Sequence, residues 1–234
     1  MVPAELYRSR RTRILLSTLL CAALRSSPGQ ALAPSDCGRR EATNAGLSAT
    51  ESRVREIRGA SFPELTKVDL RLREFHSDAD YFRTRFSVPR FLFLQRMRYF
   101  VEVNPALFGQ QAPPEGVCAV LAHELSHVVS LNHGSRIRRL SLIRLLSRSY
   151  TAQFERKTDL EAIHRGYGDG LKSYRAWVYA HIPAGALPAK RRNYFSPEEI
   201  TAIQQRTRER PGLFVSWSKH APQNLQEILK DPVP

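Results

Sequence analysis

Hydrophobic and polar positions alternate, then merge, then recur at helical spacing along this chain. Between Leu65 and Phe75 the pattern has period two, with Val68, Leu70 and Leu72 on one side and Asp69, Arg71 and Arg73 on the other, which predicts a strand. Ser77 to Asp80 reads as a turn. Phe91 to Val103 is dense in aromatic and β-branched residues and predicts a strand at Arg98–Val103, closed by Asn104-Pro105. Pro113-Pro114-Glu115 then opens a helix, with proline and a carboxylate at its start and Gly134 as its stop. Its body, Val117 to Asn132, is apolar nearly all round and is therefore expected to be buried. Helices follow at Thr151–Arg165 and Leu171–His181, separated by a turn at Gly166–Gly170, and a capped start stands at Ser196. A short helix is expected at Glu51–Arg58, and an unstructured tail at 221–234. Arg136 to Tyr150 mixes five arginines with Ile and Leu without one clean stripe, and reads as an irregular cover or a membrane-surface contact.

The polar exceptions in the apolar helix carry the chemistry. His123 and His127 are one turn apart and share a face, with Glu124 beside them. This is the H-E-x-x-H spacing, in which two imidazoles hold a divalent metal and the carboxylate serves as base. Burying these groups on a core helix is costly unless something pairs them, and a metal does so. Catalytic zinc needs a third protein ligand, expected from another buried helix. Glu155 is the leading choice, with Asp159 one turn later in place to accept the free N–H of a ligand histidine. The bland alternative for Glu155 is a solvated surface acid beside Arg156 and Lys157. Glu124 is placed to take a proton from an activated water and pass it to a leaving amine. For an oxyanion the sequence offers His164, Arg165 and Tyr167 without choosing among them. The strand before the metal helix offers an edge on which an extended substrate backbone can pair.

Composition changes this picture in two ways. The net charge is +14, mostly from arginine, which suits an anionic membrane surface or envelope polymer, or simply a solvated basic surface. Residues 1–33 have a basic n-region, an apolar run from Ile14 to Leu24 and small residues at Ala31-Leu32-Ala33, the pattern of an export signal or an N-terminal anchor. Without them the chain loses five Arg and one Glu, so the charge falls only from +14 to +10. Export weighs against nucleic acid as the partner. It also leaves Cys37 and Cys118 in an oxidising compartment, where they either bridge or remain thiols. The division expected is a signal or anchor at 1–33, a lead-in at 34–60, a metallopeptidase domain at 61–220 and a tail at 221–234.

AVLAHELSHVV, followed by ERKTD and then HRGYGDGL, resembles the HtpX and CAAX-prenyl-protease type of zinc metallopeptidase, within the gluzincins. The resemblance covers about residues 98–180 and implies a zincin-like α+β fold. In that fold a small antiparallel or mixed sheet packs on a metal-binding helix and a glutamate-bearing helix, and the C-terminal part is mostly helical. It also implies one Zn2+ per chain, held by His123, His127 and Glu155, with Glu124 as catalytic base, Asp159 behind the ligands and a polypeptide as substrate. Arg136 to Tyr150 stands where membrane-embedded members carry transmembrane segments, so the expectation is a compact soluble relative. The alternative is a catalytically silent, zinc-stabilised binding module for an anionic envelope component.

Overall fold

In the computed structural model, which describes residues 46–133 and 148–230, three strands form a mixed sheet in the order β1-β3-β2. β1 (Asp69–Glu74) runs parallel to β3 (Arg98–Val103), and β2 (Phe82–Phe86) runs antiparallel to it. Tyr99, Val101 and Val103 alternate onto the helix-covered face and are fully buried. Phe100 and Glu102 turn to the other face, where Arg73 covers the Phe100 ring and Arg83 meets Glu102 at 2.5 Å. The strand expected to offer a free edge, β3, is therefore the central one, hydrogen-bonded on both sides. β1 and β2 take the two edge positions among the described residues. β2 was not expected as a strand, although Phe82, Thr84 and Phe86 alternate with Arg83 and Arg85.

Ahead of the sheet, α1 (Leu47–Ser61) buries Thr50, Val54 and Ile57, which makes it longer than the helix expected there. A short α2 (Val88–Leu92) follows β2 and ends in a tight hydrogen-bonded turn. The Gln95 amide reaches the Arg90 carbonyl at 2.9 Å and the Leu94 amide reaches that of Phe91 at 3.4 Å, the pairing of a Schellman turn. Leu94 holds the left-handed position at φ 55°, where a leucine costs about 1–2 kcal/mol more than a glycine. α3 (Ala106–Gly109) then leads into α4 (Pro114–His133), buried from Gly116 to Val128, which packs on β2 and β3.

α5 (Arg148–Ala162) and α6 (Gly168–His181) are separated by a kinked π segment at Ile163–Tyr167, so the expected break falls at Gly166 as read from the sequence, while Gly168–Gly170 already belong to α6. Gly166, at φ 92°, absorbs the kink. Gly170 sets how closely α6 approaches α4, since a Cβ there would stand 2.3 Å from the Glu115 carbonyl oxygen. Beyond them lie α7 (Leu187–Asn193), α8 (Pro197–Glu209, with the expected capping box at Ser196 and Glu199), α9 (Leu213–Lys219) and α10 (Leu225–Leu229). α10 replaces part of the expected tail, because Asn224 caps it and Ile228 is fully buried. The architecture is α+β, mostly helical, with a small three-stranded mixed sheet. Residues 1–33 and most of Arg136–Tyr150 lie outside the described residues, apart from 148–150, which form the first turn of α5. Among the described residues no helix is long and apolar enough to cross a membrane.

Candidate metal centre

Helical spacing on α4 sets His123 and His127 in one row, and both are buried, at 2 % and 7 % exposure. α5 crosses α4 so that Glu155 faces both rings. Its Oε2 lies 3.2 Å from His123 Nε2 and 3.1 Å from His127 Nε2. One ligand atom from each of the three residues lies within 4.8 Å of the others. The reading of Glu155 as a solvated acid fails. Its neighbour Arg156 is itself buried, donating to Glu199 Oε1 at 3.1 Å and to the Pro222 carbonyl.

The hydrogen bonds behind the rings assign the protons. Asp159 Oδ1 stands 2.8 Å from His123 Nδ1, and an ionised carboxylate only accepts, so Nδ1 carries the hydrogen. The Thr158 hydroxyl donates to the Phe154 carbonyl at 2.9 Å, which leaves it to accept from His127 Nδ1 at 3.2 Å. Both Nε2 lone pairs are thereby turned toward the Glu155 oxygen. With both rings neutral, three acceptors converge in a buried place, an arrangement balanced by a cation, either a metal ion or a proton on a ring. Tetrahedral zinc with bonds of about 2.0–2.1 Å spaces its ligands about 3.3 Å apart, close to the 3.2 and 3.1 Å that separate Glu155 Oε2 from the two rings. The donor set fits zinc.

Without a metal, the surrounding carboxylates favour a proton in its place. Burial pulls the His123 pKa down, but Asp159, Glu155 and Glu124 outweigh it and push the ring up to about 9. Burial raises Glu155 while the two histidines pull it strongly below the usual carboxylate range. Asp159, with no exposed surface, is pushed up by burial and brought below its ordinary value by Arg175 and His123. Both its oxygens are engaged, since Arg175 also donates to Oδ1 at 2.8 Å and the Phe195 amide donates to Oδ2 at 3.0 Å.

A cleft of about 400 Å³ opens beside this group, lined by Glu124, His127, Phe154, Glu155, Tyr194 and all of β2 from Phe82 to Phe86. Glu124, 5 % exposed, is held by the Thr84 hydroxyl, which sits 2.7 Å from its Oε2 and 3.0 Å from its carbonyl oxygen. Tyr194, in the extended link after α7, is 5.8 Å from the His123 ring between centroids and is covered by the Arg175 guanidinium at 4.2 Å.

The three residues expected to meet an oxyanion have other partners. His164 is exposed and stacks on Phe214, with centroids 3.8 Å apart. Arg165 bonds Glu64, Glu161 and the Ser61 carbonyl and lies over Phe62, while the Tyr167 hydroxyl meets Ser61 Oγ at 2.8 Å. The π turn aims Arg165 and Tyr167 at the end of α1, and none of the three lines the cleft. Tyr194, Thr84, Thr158 and Arg175 were not expected at the site. The alternation from Phe82 to Phe86 is the signal for Thr84, and the three-residue step after Glu155 is the signal for Thr158. Cys118 is fully buried on α4 and disulfide-bonded, while Cys37 lies outside the described residues. No protein-family model, curated protein or solved structure matches the chain.

Proposed function

We propose that the chain is a zinc-dependent endopeptidase of the gluzincin kind, with a zincin-like arrangement of sheet, metal helix and glutamate helix. One observation carries the reading: the His123, His127 and Glu155 acceptors converge beside a cleft whose wall is an edge strand. When bound, zinc supplies Lewis-acid polarisation and brings the pKa of a coordinated water to about 7.

The chain's own groups do the remaining work. β2 has one sheet neighbour among the described residues, so its other edge presents backbone donors and acceptors to an extended peptide in the cleft. Glu124, oriented by Thr84, takes the proton of the attacking water and returns it to the leaving nitrogen. Tyr194 is the oxyanion donor. Burial and then Glu155 hold its pKa well above the ordinary tyrosine value, so the hydroxyl keeps its proton at neutral pH. Asp159 and Thr158 keep the two imidazoles in the Nδ1–H form that frees both Nε2 atoms.

Metal analysis of the purified chain beside Glu155→Ala, with casein cleavage measured in the presence and absence of chelator, tests the proposal. The expected result is about one zinc per wild-type chain, depleted in Glu155→Ala, and proteolysis abolished by chelator and by Glu124→Gln, which keeps its zinc. Equal cleavage by Glu124→Gln and wild type overturns the mechanism. Zinc retained without proteolysis points instead to a zinc-stabilised binding module.

A further inference from the structure

The turn after β2 carries large apolar side chains outward. Leu92, Phe93 and Leu94 are 65 %, 75 % and 73 % exposed, and Val88 at the start of α2 is 54 % exposed. This display is built into the backbone. The Schellman pairing of Gln95 with Arg90 fixes the turn, Arg90 Nη1 donates to the Arg96 carbonyl at 3.2 Å, and Ser87 N donates to the Arg98 carbonyl at 2.8 Å. The left-handed position holds leucine where glycine would sit without strain. A rigid turn that keeps its hydrophobic residues in water at a conformational cost is a feature that asks for a partner.

Charge around the turn selects that partner. Asp69 is the one carboxylate shared by Arg71, Arg90 and Arg98, at 3.2, 3.8 and 2.7 Å. Arg96 and Lys67 are joined to each other through the Lys67 carbonyl and form no ion pair among the described residues. Beside the apolar tip, Arg71, Arg90, Arg98, Arg96 and Lys67 thus outnumber the one carboxylate, Asp69, that the first three share. The tip protrudes and spans one turn, too little to supply the roughly 1,000 Å² of a specific protein interface. Apolar insertion surrounded by attraction to headgroups is what an anionic bilayer offers.

The geometry points to residues 88–96 as a membrane-docking turn that inserts Leu92, Phe93 and Leu94 into an anionic lipid surface while the neighbouring arginines bind the headgroups. Val88 also lines the cleft, so docking holds the mouth of the cleft next to the bilayer. This surface does not depend on the peptidase reading, and its test uses no activity.

The test uses the full chain carrying Phe93→Trp, with wild type supplying the background of Trp177 and Trp217. Brominated lipids are built into phosphatidylcholine vesicles, with or without about one-third phosphatidylglycerol. The expected result is quenching of the added indole in anionic vesicles only, reversed by about 0.5 M salt. Leu92→Ser combined with Leu94→Gly should weaken this binding about tenfold or more. Leu94→Gly alone relieves the left-handed backbone, so a folded protein is available for the comparison. Absence of quenching overturns the proposal, as does equal quenching in neutral vesicles. Lipid-free self-association that Leu92→Ser abolishes also overturns it, because a second copy would then be the occupant.

Discussion

Arg175 donates to Asp159 Oδ1 across 2.8 Å where neither residue is more than 4 % exposed. That oxygen also faces His123 Nδ1, so the guanidinium from α6 acts on a histidine of α4 through a carboxylate of α5. The Arg175→Met variant leaves Asp159 buried with its main counter-charge gone. The expected loss is about 3–5 kcal/mol in urea unfolding of the chelated protein. Zinc affinity, measured by competition with a chromophoric chelator, should fall about 10–100-fold because His123 loses its orientation. Unchanged unfolding and unchanged affinity together would show that Asp159 does not depend on this partner.

Thr84 links the edge strand to Glu124, the proposed base. Its hydroxyl lies within hydrogen-bond reach of the Glu124 carboxylate and of the Glu124 carbonyl, so Thr84→Val frees the carboxylate to turn. Zinc content should stay at the wild-type level, since Thr84 contacts no metal-facing atom. Turnover of a peptide substrate should drop about tenfold, the loss coming from a misplaced base rather than a missing one. Thr84→Ser, which keeps the hydroxyl, should restore most of the rate. If Thr84→Val and Thr84→Ser are equally slow, packing and not the hydrogen bond explains the effect.

The residues legible in the sequence are those whose neighbours are helical neighbours. His123 and His127 are one turn apart, and Asp159 lies one turn beyond Glu155, so a 3.6-residue period sorts them without knowledge of the fold. β3 was legible to its ends because Tyr99, Phe100, Val101 and Val103 are aromatic or β-branched and Asn104-Pro105 closes the run. β2 escaped notice because it is only five residues long and its outward positions are arginines. Tyr194 could not be placed by spacing at all. It reaches the site because the Phe195 amide is hydrogen-bonded to Asp159 Oδ2, a contact 36 residues long in sequence. His164, Arg165 and Tyr167 were misplaced for a local reason. At 100° per residue none of the three shares the face of Glu155, and the kink at Gly166 turns the chain further toward α1.

Tyr194 makes no hydrogen bond through its hydroxyl among the described residues, although its ring is packed against His123 and under Arg175. Removing the hydroxyl should therefore leave the fold and the metal untouched. For Tyr194→Phe the melting temperature and zinc content should match wild type, while kcat falls about 100-fold and KM changes little. A structural role would lower the melting temperature in parallel with activity. A variant that retains full kcat removes Tyr194 from the chemistry.

Protonation gives the metal-free site a pH signature that metal should erase. His123 is raised from 6.5 to about 9 in the fold, so its stabilisation is complete below the unfolded value and is lost as pH climbs through about 9. Glu155 and Asp159 are lowered, so their contribution is present above the ordinary carboxylate range and is lost on acidification. The chelated protein should then be most stable near pH 5–6.5 and lose on the order of 3 kcal/mol by pH 9, read by urea unfolding across the range. With zinc in place of the proton the trend reverses, because metal no longer competes with protons for Nε2 at high pH. The zinc-loaded protein should hold its midpoint from pH 7 to 9 while the chelated protein declines. A chelated midpoint that rises between pH 6.5 and 9 would mean that His123 is neutral without metal, and that the carboxylates around it are not acting as its counter-charges.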